Sequence, residues 1–196
     1  MTCLPPATQE LVVAASYHGH SLQVYRLLDG VLCATAAVRE PTYLATDPET
    51  ASVYVSSFEE DRGGRVLSYQ WRGGLLHESG VVEAAGATDT RRPLAYVPPA
   101  PGKTCAHLVV GSQRSPTLLV VSLPTCRLVH TFELDGVQVI GLGCDAARPG
   151  DLTRHEGRRR RSSAAPVHEQ SLVVLDHTTN DALVLRWPLP GMPELV

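Results

Sequence analysis

The sequence predicts an all-β chain organised as a partial β-propeller of about four blades, and three observations carry that expectation. First, an apolar, β-branched run ending in a small polar residue recurs four times, each followed about a dozen residues later by a second alternating run. The pairs are Leu11–Ser16 with Ser21–Arg26, Ser52–Ser57 with Arg65–Trp71, His107–Ser112 with Thr117–Leu123, and Ser171–Asp176 with Ala182–Trp187. A strand-turn-strand unit that returns at roughly 40 to 65 residues is the repeat of a propeller blade. Second, the 196 residues are 43% hydrophobic and 19% charged, with 16 glycines and 15 prolines, the balance of strands joined by many tight turns. Third, a four-strand blade, a-b-c-d, can be laid over each pair.

The first blade, about 11–38, supplies b (Leu11–Ser16), c (Ser21–Arg26) and d (Val31–Val38), joined by His18-Gly19-His20 and Leu28-Asp29-Gly30. Its strand a has no candidate, because the preceding segment carries two prolines that cannot donate to a ladder. The second, 41–82, runs from Thr42–Pro48 through two alternating runs to Leu75–Val82. Asp47-Pro48-Glu49-Thr50 is its a-b turn, since the Asp side chain can bond the backbone two residues on and Pro presets φ. Arg62-Gly63-Gly64 and Arg72-Gly73-Gly74 are its next two turns. The third, 92–134, runs from Arg92–Pro98 to Arg127–Leu134, with Pro124-Thr125-Cys126 as the c-d turn. The fourth, 137–187, opens with Val137–Asp145 and is interrupted by 146–170, a polar, Pro-containing basic stretch that reads as a disordered insertion. Three prolines, at 188, 190 and 193, leave room for at most a short final strand. About fourteen strands result, with a absent at the start and d at the end. The expectation is therefore one repeat region, a fragment of a larger ring, with open sheet edges through which copies can self-associate.

A formal charge of −3 gives no global attraction to nucleic acid or anionic lipid. No apolar run approaches the ~18 residues of a membrane span, and Met1–Glu10 lacks the basic start and apolar run of a secretory signal. Five scattered cysteines, Cys3, Cys33, Cys105, Cys126 and Cys144, fit no zinc spacing and read as reduced, mostly buried thiols. The cytoplasm is the expected compartment, with the nucleus as a second if the arginine run acts in import.

Pro41–Ser57 followed by Gly63–Val82, and Ala15–Gly30, resemble the blades of NHL-repeat, YVTN-repeat and lactonase-like propellers. In these a "P-x-x-h-x-x-D-P" strand precedes "h-Y-V-S" and then "V-h-x-h". A WD-repeat pattern fits less well: Gly19-His20 occurs once, and Trp71 and Trp187 are followed by Arg and Pro. Kelch fits less well too, because the paired glycines fall in turns. Resemblance to NHL and YVTN propellers implies a scaffold whose loops bind protein or RNA. Resemblance to lactonases implies hydrolysis of a sugar lactone in a central funnel.

Candidate chemistry is sparse. His18 and His20, two residues apart in a tight turn beside Tyr17, could share a metal or bind a phosphate, although solvated turn residues account for them without a third ligand. Glu59, Glu60 and Asp61, followed by Arg62, form the only tight acidic cluster, without the alternating spacing of a calcium loop. Asp47, Asp145 and Asp176 recur at strand ends, where funnel lining and turn capping are both open. Arg39, Glu40, Arg91 and Arg92 precede strands a without forming a recognisable site. Gly141-Leu142-Gly143 lacks the third glycine of a dinucleotide fingerprint, and no GxSxG is present. Arg158, Arg159, Arg160 and Arg161 followed by Ser162 and Ser163 form a basic run suited to import or RNA contact, next to two serines placed for phosphorylation. No metal or cofactor is expected. The function expected is a non-enzymatic interaction scaffold presenting loops to protein partners; the alternatives are a lactonase-like hydrolase and a degenerate propeller fragment.

Overall fold

The computed structural model describes residues 10–59, 63–82, 92–100, 102–123, 125–146, 170–189 and 191–192. Every element among them is a strand, arranged in four antiparallel sheets. The chain divides into two compact units, 1–92 and 93–196, each with its own core.

In the first unit, sheet 1 is the meander β1 (Leu11–Ser16), β2 (Ser21–Arg26) and β3 (Leu32–Ala37). Sheet 2 is the meander β4 (Pro41–Asp47), β5 (Ser52–Glu59), β6 (Gly63–Arg72) and β7 (Leu75–Val82). The period-2 alternation of a strand sends every second side chain to one face. Register places Val13 opposite Val24 and Ala15 opposite Leu22, so one face of sheet 1 is apolar; that face packs on Val53, Val55, Leu67 and Tyr69 of sheet 2. The β6–β7 hairpin turns on Gly73 and Gly74, with φ of +58° and +83°, which only glycine adopts without strain. Gly63 and Gly64 behave differently from the sequence expectation: they sit in β6, opposite Glu59 and Phe58, because the β5–β6 ladder runs past them.

In the second unit, sheet 3 is the meander β8 (Leu94–Val97), β9 (Ala106–Val110), β10 (Thr117–Leu123) and β11 (Arg127–Glu133). Sheet 4 is β12 (Val139–Ala146), β13 (Gln170–Asp176) and β14 (Ala182–Trp187). Val97, Val109, Leu118 and Val120 of sheet 3 pack with Val139, Leu172 and Val174 of sheet 4. Beyond β14, Leu189 is buried in the same core and no further strand follows among the described residues. β12 runs on to Ala146 and β13 begins at Gln170, the two being paired across the ladder; residues 147–169, where most of the expected insertion falls, lie outside the described residues.

Two aspartates shape the turns. Asp47 Oδ1 accepts the Glu49 and Thr50 amides at 3.0 and 3.4 Å, and its Oδ2 accepts the Thr50 hydroxyl at 2.6 Å. Asp176 does the same between β13 and β14, accepting from the Thr178 amide at 3.0 Å, the Gln138 amide at 2.9 Å and the Thr179 hydroxyl at 2.9 Å. These hydrogen bonds, the Thr178 amide first, hold the Asp176 carboxyl down at about 2 against the opposing pull of burial. Both residues are therefore turn caps; the side chain of Asp145 lies outside the described set. No disulfide joins the four described cysteines, and instead of being mostly buried Cys33 is exposed on β3 and Cys105, Cys126 and Cys144 are half-buried.

Candidate functional site

The candidate site is the turn between β1 and β2 in the first unit. Tyr17-His18-Gly19-His20 is closed by the His20 amide donating to the Tyr17 carbonyl at 3.3 Å. Gly19 suits its place: a Cβ there would press on the Ser16 hydroxyl and stand 3.2 Å from Ser16 Cβ, so the Ser16 side chain would have to shift. His20 takes φ +48° and Glu40, at the β3–β4 junction, φ +41°. Two left-handed residues that are not glycine carry strain, and such strain persists only where neighbours fix it.

The neighbours are explicit. The Val38 amide donates to the His20 carbonyl at 2.9 Å, and the Glu40 amide donates to His20 Nδ1 at 3.2 Å. The Tyr17 hydroxyl donates to Glu40 Oε2 at 3.2 Å, and the Ser57 hydroxyl donates to the Arg39 carbonyl at 2.5 Å. Tyr17 and His18 meet edge to face, ring centres 5.1 Å apart. As an acceptor at Nδ1, His20 is the tautomer with its proton on Nε2. The result is a hydrogen-bonded knuckle whose outer surface is Tyr17, His18, His20 and Arg39, all exposed, with Glu40 half-buried.

The two histidines are thus brought to one turn but given different partners, His18 a ring edge and His20 a backbone amide. Among the described residues no group of three or more His, Cys, Asp or Glu side chains could hold a metal ion. Of the acidic cluster, the backbone of Glu59 ends β5, while Glu60, Asp61 and Arg62 lie outside the described residues, as do Arg158, Arg159, Arg160, Arg161, Ser162 and Ser163. Arg92 is buried, and its amide donates to Ser56 Oγ at 3.1 Å.

Sequence reasoning missed a second cluster, in the second unit. His107 is 7% exposed, and burial lowers its pKa, so the imidazole is held neutral. Its ring centre lies 5.4 Å from that of Trp187, and its Nε2 is 3.9 Å from Cys105 Sγ. The thiol also points at the carbonyls of Ala106 and Leu123, at 3.5 and 3.9 Å. Ser122 sits opposite His107 in the ladder and bonds Thr125 across the β10–β11 turn at 2.7 Å. The cluster is a packed joint between sheets 3 and 4. The signal for it was alternation, which puts His107 on the same face as Val109.

No family model and no curated protein matches this chain in sequence. Solved structures do match in fold. The hydrazine synthase of Kuenenia stuttgartiensis superposes with a TM-score of 0.52 at 13% identity, covering 90% of this chain and 46% of that one. A protein from Lactobacillus plantarum matches with a TM-score of 0.45 at 17% identity, over 80% of this chain and 42% of that one. The chain spans less than half the length of either. With its four antiparallel sheets and its likeness to the hydrazine synthase, a β-propeller protein, the chain is an all-β, partial β-propeller.

Proposed function

We propose that this partial propeller is a non-enzymatic interaction module, and that the β1–β2 knuckle of the first unit is its principal protein-contact surface. The observation that supports this reading is the double clamp of His20 by Val38 and Glu40. It fixes an exposed Tyr and His in one conformation before any partner arrives, so that little ordering entropy is lost on binding. Tyr is the side chain most suited to that task, with a large contact area and few rotatable bonds. Loops carried on a rigid sheet are where binding residues concentrate. The arginine run Arg158–Arg161 is a second contact segment in this reading, for RNA or an acidic protein, with Ser162 and Ser163 as phosphate acceptors that offset its charge. The cytoplasm, or the nucleus by way of that run, is the proposed compartment; among the described residues no helix is long and apolar enough to cross a membrane.

The test is affinity capture from a cell extract with three baits: the unaltered chain, Tyr17→Ala/His18→Ala, and a deletion of 150–165. Proteins retained by the first and third baits and lost from the second support the knuckle. A set of retained proteins identical for all three contradicts both contact segments.

A further inference from the structure

The β2–β3 ladder pairs Ser21 with Ala37 and runs one step further, where the Val38 amide donates to the His20 carbonyl at 2.9 Å. Beyond that step the chain turns through Arg39 and Glu40 into β4, and the Glu40 amide donates to a side chain, His20 Nδ1, at 3.2 Å. One histidine therefore holds both amides, Val38 by its carbonyl and Glu40 by its ring. The two bonds differ in their response to acid. A carbonyl accepts at every pH, whereas an imidazole accepts at Nδ1 only while that nitrogen keeps its lone pair.

His20 is exposed, so protons reach its ring from solvent. A proton on Nδ1 turns the acceptor into a donor facing the Glu40 N–H, and the bond is lost. The backbone that this bond holds is not one the chain adopts freely. φ is +48° at His20 and +41° at Glu40, and left-handed residues other than glycine persist only where neighbours fix them. The titratable and charged groups around the ring are Tyr17 and His18 in the same turn and Arg39 and Glu40 at the β3–β4 junction. From sheet 2 the Ser57 hydroxyl donates to the Arg39 carbonyl, and Arg65 stands opposite Ser57 in the β5–β6 ladder. The Glu40 carboxylate is engaged by the Tyr17 hydroxyl at 3.2 Å, so the junction touches the turn at a second point.

We propose that the β1–β2 knuckle is a proton-gated clasp, closed while the His20 ring is neutral and released when Nδ1 is protonated. The sign follows from the donor. The bond belongs to the neutral ring alone, so the clasp is complete at the higher pH and opens as pH falls through the range, between about pH 5 and about pH 8, in which histidines ordinarily titrate. Release frees the Glu40 amide, while the ladder up to Val38 stays paired through a carbonyl that takes no proton. As a control on partner binding the clasp rests on the contact role proposed for the knuckle; as a property of the turn it stands apart from that role.

The experiment is amide hydrogen exchange on the full chain at about pH 7.5 and about pH 5, each rate divided by that of a free amide at the same pH. Circular dichroism accompanies it as the check that the strands persist. The Glu40 protection factor is expected to fall on acidification by on the order of tenfold, the net worth of about one hydrogen bond, while that of Val38 holds. His20→Asn identifies the group responsible. Asn places Oδ1 where Nδ1 stood, accepts at every pH and tolerates a left-handed backbone, so Glu40 should stay protected at both values. Glu40→Gln, which removes the carboxylate and keeps the amide, should retain the fall. Equal protection of Glu40 at the two pH values in the unaltered chain overturns the proposal. So does a fall that His20→Asn shares or that Glu40→Gln abolishes, and so does a parallel loss at Val38, which would mean that the ladder itself opens. Partner contact at the knuckle is read separately by the capture experiment at neutral pH, so either proposal can fail alone.

Discussion

His20 and His107 are the same side chain in opposite circumstances. His20 is exposed in a four-residue turn, and its Nδ1 accepts an amide from a residue twenty positions on. His107 is buried between two sheets, against a Trp eighty positions away, and no charged side chain among the described residues pairs with it. The first imidazole positions backbone at a surface; the second fills space in a core and must stay neutral to do so. His107 is thus a packing residue in a strand, and His20 is a clasp in a turn. Only the clasp leaves side chains accessible to a partner.

The sharpest break of this comparison is in the core. Leu118→Ala, at a fully buried position, is expected to cost about 2–5 kcal/mol in a urea titration, against less than about 0.5 kcal/mol for His18→Ala at the exposed turn. Equal losses would erase the distinction between the two regions.

pH separates them next. Because burial lowers the His107 pKa, the unfolded chain binds the proton more tightly, and the stability owed to neutral His107 falls as pH drops below about 6.5. Asp176 acts in a lower window. Its depressed carboxyl contributes stability that is full above about 3.8 and is lost as pH falls toward about 2. Melting temperatures measured from pH 7 to pH 2 should show two declines, the upper one flattened in His107→Gln and the lower one in Asp176→Asn. A single decline untouched by His107→Gln would remove the packing role assigned to that imidazole.

A smaller effect is expected at Gly19→Ala. The new Cβ displaces Ser16 Oγ, a movable group, so a loss of about 1 kcal/mol is expected, together with poorer retention of knuckle-dependent partners. Unchanged stability and retention would show that the turn tolerates rearrangement.

The strand pairs were legible because alternation is a local signal. Ser171–Asp176 and Ala182–Trp187 can be read as strands with no knowledge of what they touch, and Asp47 announces its turn through residues two and three positions on. The Tyr17–His20 turn was legible as a turn for the same reason. Its clasp was not, since Glu40 and Val38 reach it only when β3 folds back along β2, and nothing in the spacing of 20 and 40 announces a left-handed pair. The His107 joint was hidden for a related reason: Cys105 is near in sequence, but Trp187 arrives through the stacking of sheet 4 on sheet 3. Gly63 and Gly64 misled because a glycine pair signals a turn strongly, and only the length of β5 decides that the ladder continues through them.

The claim that the knuckle is preformed is tested most directly by amide hydrogen exchange at Val38 and Glu40, the two donors to His20, in the unaltered chain and in His20→Ala. Both amides are expected to be protected in the unaltered chain. In His20→Ala the Glu40 amide alone should become fast, because Val38 donates to a carbonyl that the substitution keeps. Fast exchange of both amides in the unaltered chain would contradict the account, leaving the turn without the rigidity on which its proposed function rests.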